Sequence, residues 1–124
     1  MSEKYLIFGA TGSIGSSLSR QLKDSGKEVH LVARDESEVQ NLSEQLCCSY
    51  TVADVVENGF LDKVKADVPD VKGIAYCVGS IVLKPLRMIK EDEFNQCMKL
   101  NCYSALEIVK GYQDTLKKSK GSVV

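Results

Sequence analysis

The chain has 124 residues, of which 44% are hydrophobic and 27% are charged, and its formal net charge is −1. This length allows one domain with one core, and the near-zero charge argues against non-specific nucleic-acid binding, which requires a basic surface. No stretch approaches the ~18 apolar residues of a transmembrane helix. No basic leader precedes the first apolar segment, so we expect a cytoplasmic protein with no membrane partner.

Strand and helix patterns alternate over the first half of the chain. A short apolar run at residues 5–8 predicts a buried strand. Ile14, Leu18 and Leu22 form the apolar stripe of a helix over 13–25, and Gly26 suits its C-terminal cap. The pattern repeats with strands at 29–33 and 50–53. A second helix has its apolar positions at Val39, Leu42 and Leu46, and a third helix has them at Phe60, Leu61 and Val64.

The second half continues with a strand at 74–78 and one long helix over 91–118, which starts acidic and ends in lysines, as the helix dipole favours. Its apolar stripe has steps of three or four residues and consists of Phe94, Met98, Asn101, Ala105, Ile108, Tyr112 and Leu116. Asn101 interrupts this stripe, so we expect it to be buried or nearly so, with hydrogen-bond partners. On the residues alone, a packing role and a functional role for Asn101 are equally open.

The order of elements predicts the fold class. Continuous apolar strands that alternate with helices indicate a parallel sheet covered on both faces, and right-handed crossovers make it a doubly wound α/β fold of the Rossmann type. A fifth strand starts at Val123. We therefore expect residues 1–124 to be a single but incomplete domain, truncated at strand five, which would lie at an exposed edge.

Three glycines lie between the first strand and the first helix, in the segment F-G-A-T-G-S-I-G at residues 8–15. Gly9 would allow the tight turn, Gly12 the close approach of a ligand and Gly15 close packing of the helix. The helix N-terminus would then present free N–H groups to a pyrophosphate. The alternative is a glycine-rich turn without a ligand. The candidate cofactor-binding residues in this loop are Gly9, Thr11, Gly12, Ser13, Ile14 and Gly15.

The residues after the second strand indicate which dinucleotide is bound. An acidic residue there would bind the ribose 2′-hydroxyl of NAD, but this chain has Ala33 followed by Arg34. A guanidinium can bind a 2′-phosphate with two parallel hydrogen bonds, so we predict NADP in preference to NAD. A shift of one residue would instead place Asp35 at the ribose, and Arg34 could also be a solvated loop residue.

The cysteines and the single histidine do not indicate a further site. The five cysteines are odd in number and lack metal-ligand spacing. Adjacent Cys47 and Cys48 could form a redox pair, but reduced thiols are the rule in a cytosolic chain. His30 lies in a predicted strand with no acid or nucleophile placed beside it by the sequence, which indicates a structural role. We expect no metal site.

In combination, four motifs resemble the N-terminal half of a short-chain dehydrogenase/reductase along all 124 residues. They are G-A-T-G-S-I-G at 9–15, A-D-V at 53–55, Y-C-V-G at 76–79 and K-L-N at 99–101. Two positions depart from the commonest family pattern. The commonest pattern has its middle glycine one residue later, where this chain has Ser13, so the Gly-x-x-Gly-x-x-Gly spacing is closer to that of extended and divergent members. Cys77 replaces the usual asparagine.

The resemblance implies roles for six further residues. Asp54 would bond the adenine amino group, with Val55 beside the adenine. Cys77, Val78 and Gly79 would flank the cofactor ribose. Asn101 would be the catalytic asparagine, which in the family organises a water chain behind a lysine. The resemblance also implies a small-molecule carbonyl or alcohol substrate and a homo-oligomer when the protein is full length.

The same resemblance implies a catalytic serine and a Tyr-x-x-x-Lys motif, in which the lysine lowers the tyrosine pKa towards neutrality. No tyrosine among the 124 residues has a lysine four positions later. We therefore expect the chain to be the cofactor-binding half of an NADP-dependent oxidoreductase, cut at strand five. The alternative is a module that senses NADP(H) without turnover, so whether this segment is an enzyme stays open.

Overall fold

The computed structural model of the chain describes residues 3–124 and contains a five-stranded sheet in which every pairing is parallel. The strand order is β3-β2-β1-β4-β5, so the chain moves in one direction from β1 to β3 and crosses to the other side of β1 for β4. The strands are β1 (Lys4–Phe8), β2 (Glu28–Ala33), β3 (Ser49–Val52), β4 (Gly73–Tyr76) and β5 (Ser122–Val123).

Within the described residues, six α-helices connect the strands. They are α1 (Ser13–Asp24), α2 (Glu36–Leu46), α3 (Phe60–Asp67), α4 (Glu91–Met98), α5 (Ser104–Gly111) and α6 (Gln113–Ser119). A short 3₁₀ turn at Leu86–Met88 precedes α4, and a π-helical turn at Lys99–Tyr103 joins α4 to α5. As predicted, α1 ends before Gly26, whose φ of +81° suits glycine after a helix.

The sheet is buried on both faces, and this confirms the predicted doubly wound α/β fold. Leu6 and Phe8 of β1 belong to a core cluster with residues of α3 and α5, whereas Ile7 between them belongs to a second cluster with residues of α2. Because successive side chains of a strand point to opposite faces, strands buried on both faces must be almost continuously apolar, as the sequence is.

The strand register aligns the carboxyl ends of the three central strands at one edge. Phe8, the last residue of β1, pairs with Val32 on one side and with Tyr76 on the other. Ala33 in turn pairs with Val52. The segments that follow β1, β2, β3 and β4 therefore leave the sheet at the same edge, where ligands bind in open α/β sheets.

Two details of the first helix and the fourth strand differ from the prediction. Ile14 is 75% exposed, so it is not part of the buried stripe of α1, which Leu18 and Leu22 continue at the core. Ile14 is the second residue of α1, next to the exposed residues Gly12 and Ser13 of the loop. β4 ends at Tyr76, so Cys77 and Val78 lie beyond the strand.

The prediction of one continuous long helix over 91–118 is wrong. The π-helical turn inserts an extra residue, and a second break falls at Tyr112, where ψ is 10°. The extra residue rotates the inward face, since it shifts the phase of every later position. Ile108 and Tyr112 are buried as predicted, but Phe94 and Met98 are 57% and 49% exposed.

Asn101 lies in the π-helical turn and is exposed, contrary to the expectation that it is buried. The buried polar residue of this segment is Ser104, which has no exposed surface. Its hydroxyl donates to the Val55 carbonyl at 2.7 Å. Ser104 lies one helical turn before buried Ile108, so the two residues share the inward face of α5.

β5 lies at the edge of the sheet, as predicted. It pairs with β4 alone, and both Ser122 and Val123 are exposed. The pairing extends to Val124, whose N–H donates to the Ile74 carbonyl at 3.0 Å.

His30 is buried at the interface of β2, β3 and α3. Its Nδ1 lies 2.7 Å from Ser49 Oγ and its Nε2 lies 2.7 Å from Thr51 Oγ1. Thr51 donates its proton to the Asp67 carboxylate, which can only accept. Thr51 Oγ1 must therefore accept from the Nε2–H of His30, which leaves Nδ1 to accept from Ser49. Both ring nitrogens thus have partners, which supports the structural role predicted for His30.

Candidate functional site

The glycine loop begins with a turn that only glycine adopts without strain. Gly9 has a φ of +72°, and a side chain there would also collide with the backbone, since its Cβ would lie 2.7 Å from the Cys77 carbonyl oxygen. The N–H groups of Gly9 and Ala10 both donate to the Val32 carbonyl, at 3.0 and 3.2 Å. These bonds hold the loop against the end of β2.

The other two glycines differ in their surroundings. At Gly15, which is buried, an added Cβ would lie 2.1 Å from the Gly9 carbonyl oxygen, so α1 can pack on the loop only without a side chain here. At Gly12, which is exposed, the nearest atom to an added Cβ would be the same oxygen at 3.5 Å. The fold itself therefore requires Gly15 but not Gly12.

The segment between Gly9 and Gly15 is open to solvent at the N-terminus of α1. Gly12, Ser13 and Ile14 are exposed, and Thr11 is partly so. No side chain caps the helix at Gly12. The first-turn N–H groups, which carry the positive end of the helix dipole, therefore face a surface that an anionic ligand can reach.

Next to the loop, a cavity of about 540 Å³ opens at the carboxyl ends of β2 and β3. This volume is within the range of small-molecule sites. The residues that line it come from the ends of the two strands and from the start of α3; they are Arg34, Asp35, Val52, Ala53, Asp54, Glu57, Asn58, Gly59, Phe60 and Lys63.

Two of the acidic residues in this cavity are bonded to nearby backbone. Asp35 is the N-cap of α2, and its Oδ1 accepts from the Glu38 N–H at 3.0 Å. Asp54 Oδ1 accepts from the Val56 N–H at 3.2 Å. Arg34 is exposed, lines this cavity and a neighbouring one along α2, and makes no ion pair or side-chain hydrogen bond within residues 3–124.

Asn101 is positioned above the loop that follows β4. Its Oδ1 accepts from the Ser80 N–H at 3.0 Å, and its Nδ2 donates to the Ser80 carbonyl at 2.8 Å. Nδ2 also lies 3.0 Å from the Cys97 carbonyl and 3.2 Å from its sulfur. Gly79 lies directly below, since an added Cβ would be 3.3 Å from Asn101 Oδ1.

Tyr76 connects the same loop to the π-helical turn. Its hydroxyl donates to the Leu100 carbonyl. Burial raises the pKa of Tyr76 to about 12, so the phenol stays protonated and able to donate. The end of β4 and the π-helical turn are thus joined twice, by Tyr76 to Leu100 and by Asn101 to Ser80.

A comparison of the sequence with known families gives one match, to the family described as short chain dehydrogenase, over residues 3–124. The chain belongs to the short-chain dehydrogenase family. This match confirms the family that the motif resemblance implied. No curated protein matches the chain.

Solved structures of family members and related dehydrogenases have the same fold. The chain aligns with an alcohol dehydrogenase from Thermococcus sibiricus complexed with 5-hydroxy-NADP at a TM-score of 0.88 and 24% identity, covering 99% of this chain and 57% of that one. It aligns with a short-chain dehydrogenase from Streptomyces avermitilis at a TM-score of 0.90 and 18% identity, covering 99% and 48%.

A third structure is the bulky-bulky ketone specific alcohol dehydrogenase from Comamonas testosteroni, with a TM-score of 0.88 and 18% identity, covering 98% of this chain and 53% of that one. At these identities the likeness shows the fold. The chain spans about half the length of the structures it matches.

The fold brings most of the sequence-predicted site residues to one edge of the sheet. The glycine loop, Arg34, Asp54 and the segment 77–79 all follow carboxyl ends of strands. Of the predicted site residues, Arg34 and Asp54 line the cavity. Val55 follows β3 but is 4% exposed and packs in the core, and Asn101 lies in the π-helical turn.

Sequence reasoning missed Lys63 and Ser104. Lys63 lines the cavity from α3, and Ser104 bonds the chain beside Asp54 from α5. No local signal identifies Lys63, because an exposed helical lysine is common. Ser104 lies one turn before Ile108 of the predicted apolar stripe, but that stripe runs through Ala105 instead.

Three further observations concern the described residues 3–124. The five cysteines are free thiols, and no group of three or more potential ligands could hold a metal ion. No helix there is long and apolar enough to span a membrane. Apolar side chains of α4 and of the turn after it are exposed in the single chain, among them Phe94, Met98 and Tyr103. The predicted homo-oligomer stays a prediction.

Proposed function

We propose that the chain binds NADP(H) at the carboxyl edge of its sheet and forms the cofactor-binding part of an NADP-dependent oxidoreductase. NADP(H) supplies or accepts a hydride, and the substrate class is a small-molecule carbonyl or alcohol. The observation that carries this proposal is Arg34, which lines the cavity beside β2 with no protein partner within residues 3–124.

The glycine loop suits the pyrophosphate of a dinucleotide. Gly12 leaves open the approach to the uncapped first turn of α1, whereas Gly15 is required by packing alone. Backbone N–H groups of Thr11, Ser13 and Ile14 would donate to the phosphate oxygens, aided by the dipole of α1. Packing does not require a glycine at position 12, so the absence of a side chain there supports the close approach of a ligand.

The end of β2 favours NADP over NAD. The residue that would bind the ribose 2′-hydroxyl of NAD is replaced by Ala33, which is buried. Asp35, the alternative acidic residue, is engaged as the N-cap of α2. Arg34 between them is free to bind the 2′-phosphate through two parallel hydrogen bonds, which are stronger than bonds between neutral groups.

The remaining site residues take the roles that the family implies. We infer that Asp54 accepts from the adenine amino group with the oxygen that does not bond Val56. Cys77, Val78 and Gly79 flank the ribose, and Val55 supports the adenine side from the core. Asn101 acts at the nicotinamide end, where it fixes the Gly79–Ser80 backbone.

Direct titration of the chain with NADPH and NADH, by isothermal calorimetry, tests this function. The Arg34→Ala change should weaken NADPH binding by roughly tenfold or more, the value of a charge-assisted hydrogen bond, and leave NADH binding nearly unchanged. Arg87→Ala is the matched control, since Arg87 is exposed and lies outside the cavity. Equal losses for the two dinucleotides would refute the 2′-phosphate role.

A further inference from the structure

A second cation lines the cavity beside Arg34. Lys63 lies one turn into α3, where its N–H donates to the Gly59 carbonyl at 3.4 Å, and its side chain borders the same space. Arg34 enters that space from the end of β2. The two cations thus belong to separate elements that converge on one cavity of about 540 Å³.

Lys63 has no structural task within the described residues 3–124. The neighbouring Lys65 donates to the Gly111 carbonyl at 2.8 Å and lies 5.8 Å from the centre of the Tyr112 ring, so it ties α3 to α5. Lys63 makes no ion pair and no side-chain hydrogen bond there. Its charge is therefore available to a ligand in the cavity.

The carboxylates of the cavity are not equivalent. Asp35 and Asp54 each accept from a backbone N–H, which uses part of their capacity as acceptors. Glu57, between Asp54 and Lys63 in the chain, is exposed and makes no side-chain hydrogen bond within residues 3–124. It is the carboxylate freest to repel an anion that approaches the two cations.

We propose that Lys63 is a specificity-determining residue, which binds the 2′-phosphate of NADP(H) together with Arg34 and is opposed by Glu57. This inference rests on the proposed binding of NADP(H). A phosphate monoester carries close to two negative charges at neutral pH, so one guanidinium leaves charge unbalanced. The guanidinium fork fixes the orientation of the phosphate, and the ammonium of Lys63 adds a point charge from α3.

The test uses two small probes on the whole 124-residue chain, 2′,5′-ADP and 5′-AMP, which differ by the 2′-phosphate. Isothermal calorimetry gives both dissociation constants for the unaltered chain and for Lys63→Gln. Since Lys63 is exposed and its interaction is screened, we expect roughly fivefold weaker binding of 2′,5′-ADP and no change for 5′-AMP. Lys27→Gln, at the opposite end of β2, is the matched control and should change neither value.

Glu57→Gln should change 2′,5′-ADP binding in the direction opposite to Lys63→Gln. It removes a negative charge from the cavity, so it should tighten 2′,5′-ADP binding by a few fold without altering 5′-AMP binding. Raising the salt concentration should reduce both effects, because the charges are exposed.

Each outcome decides the proposal. A selective loss with Lys63→Gln and a selective gain with Glu57→Gln support it. An unchanged 2′,5′-ADP constant with Lys63→Gln, or equal losses for the two probes, overturns the role of Lys63 while NADP(H) binding stands. If the unaltered chain does not prefer 2′,5′-ADP to 5′-AMP, the proposed NADP specificity fails and this inference fails with it.

Discussion

Asn101 and Ser80 are joined by two hydrogen bonds that use both ends of the Asn101 amide, at 3.0 Å to the Ser80 N–H and 2.8 Å to the Ser80 carbonyl. The pair links the π-helical turn to the loop after β4. An asparagine this exposed usually hydrogen-bonds to water, whereas the Asn101 amide bonds the backbone of a loop that has no regular secondary structure. Asn101 therefore fixes the backbone of the loop next to the glycine turn.

Replacing Asn101 by alanine should release this loop. Because Asn101 is exposed, water can replace the lost bonds, so we expect the free energy of unfolding to fall by only about 1 kcal/mol. The amide of Ser80, in contrast, should exchange with solvent much faster, which hydrogen-exchange NMR measures. Asn95→Ala on α4 is the control, and equal Ser80 exchange in the two variants would contradict a positioning role for Asn101.

The glycines of the loop should separate folding from binding. Gly15→Ala places a methyl group 2.1 Å from the Gly9 carbonyl oxygen, so it should lower the free energy of unfolding by about 1–3 kcal/mol. Gly12→Ala meets nothing closer than 3.5 Å and has an ordinary φ of −72°, so its cost should be limited to about 0.5–1 kcal/mol, because alanine is less favourable than glycine at an N-cap.

Gly12→Ala should affect dinucleotide binding more than it affects stability. If backbone there approaches a pyrophosphate, Gly12→Ala weakens NADPH binding even though the fold is intact. Urea denaturation and calorimetric titration of the same samples give both quantities. A Gly12→Ala chain that binds NADPH as well as the unaltered chain does would remove the loop from the proposed site.

His30 should make the stability of the chain depend on pH. Burial, together with nearby Lys4, lowers the pKa of His30 from 6.5 to about 4, against a smaller opposite effect of Asp67. His30 therefore binds a proton near pH 6.5 in the unfolded chain but only near pH 4 in the folded chain. Stability contributed by neutral His30 is therefore complete above pH 6.5 and is lost progressively as the pH falls towards 4.

The measurement is urea denaturation between pH 7 and pH 4 for the unaltered chain and for His30→Gln, which keeps a polar group but does not titrate. Carboxylates titrate in both proteins, so the difference between the two curves reports His30. That difference should change steadily with falling pH. Parallel curves over the whole interval would show that the imidazole is not buried in its neutral form.

Ser104 should matter for stability more than its chain position suggests. Ser104→Ala leaves the buried Val55 carbonyl without its donor, and this should cost about 1–3 kcal/mol. Ser37→Ala on the exposed face of α2 is the matched control and should cost much less. Similar values from thermal denaturation of the two variants would mean that water reaches the Val55 carbonyl.

Local patterns were sufficient for much of this molecule. Apolar runs beside Gly9 and Ala33 identified strands, and Gly26 marked the end of α1, because each signal depends on residues close together in the chain. Short motifs predicted Asp54 and Asn101 as site residues. The helix over 91–118 was predicted as one element because its spacing is regular, but π-helical turns leave no periodic trace in so short a segment.

The sequence by itself determined the parallel α/β fold, the family and the glycine loop, since backbone freedom and side-chain periodicity are local properties. Only the tertiary structure decided which residues share a space. It buried Val55 and Ser104, left Asn101 and Ile14 exposed, and brought Lys63 to the cavity of Arg34. The reason is that convergence depends on strand order and helix phase, and a single inserted residue in the π-helical turn changes the phase of all that follows.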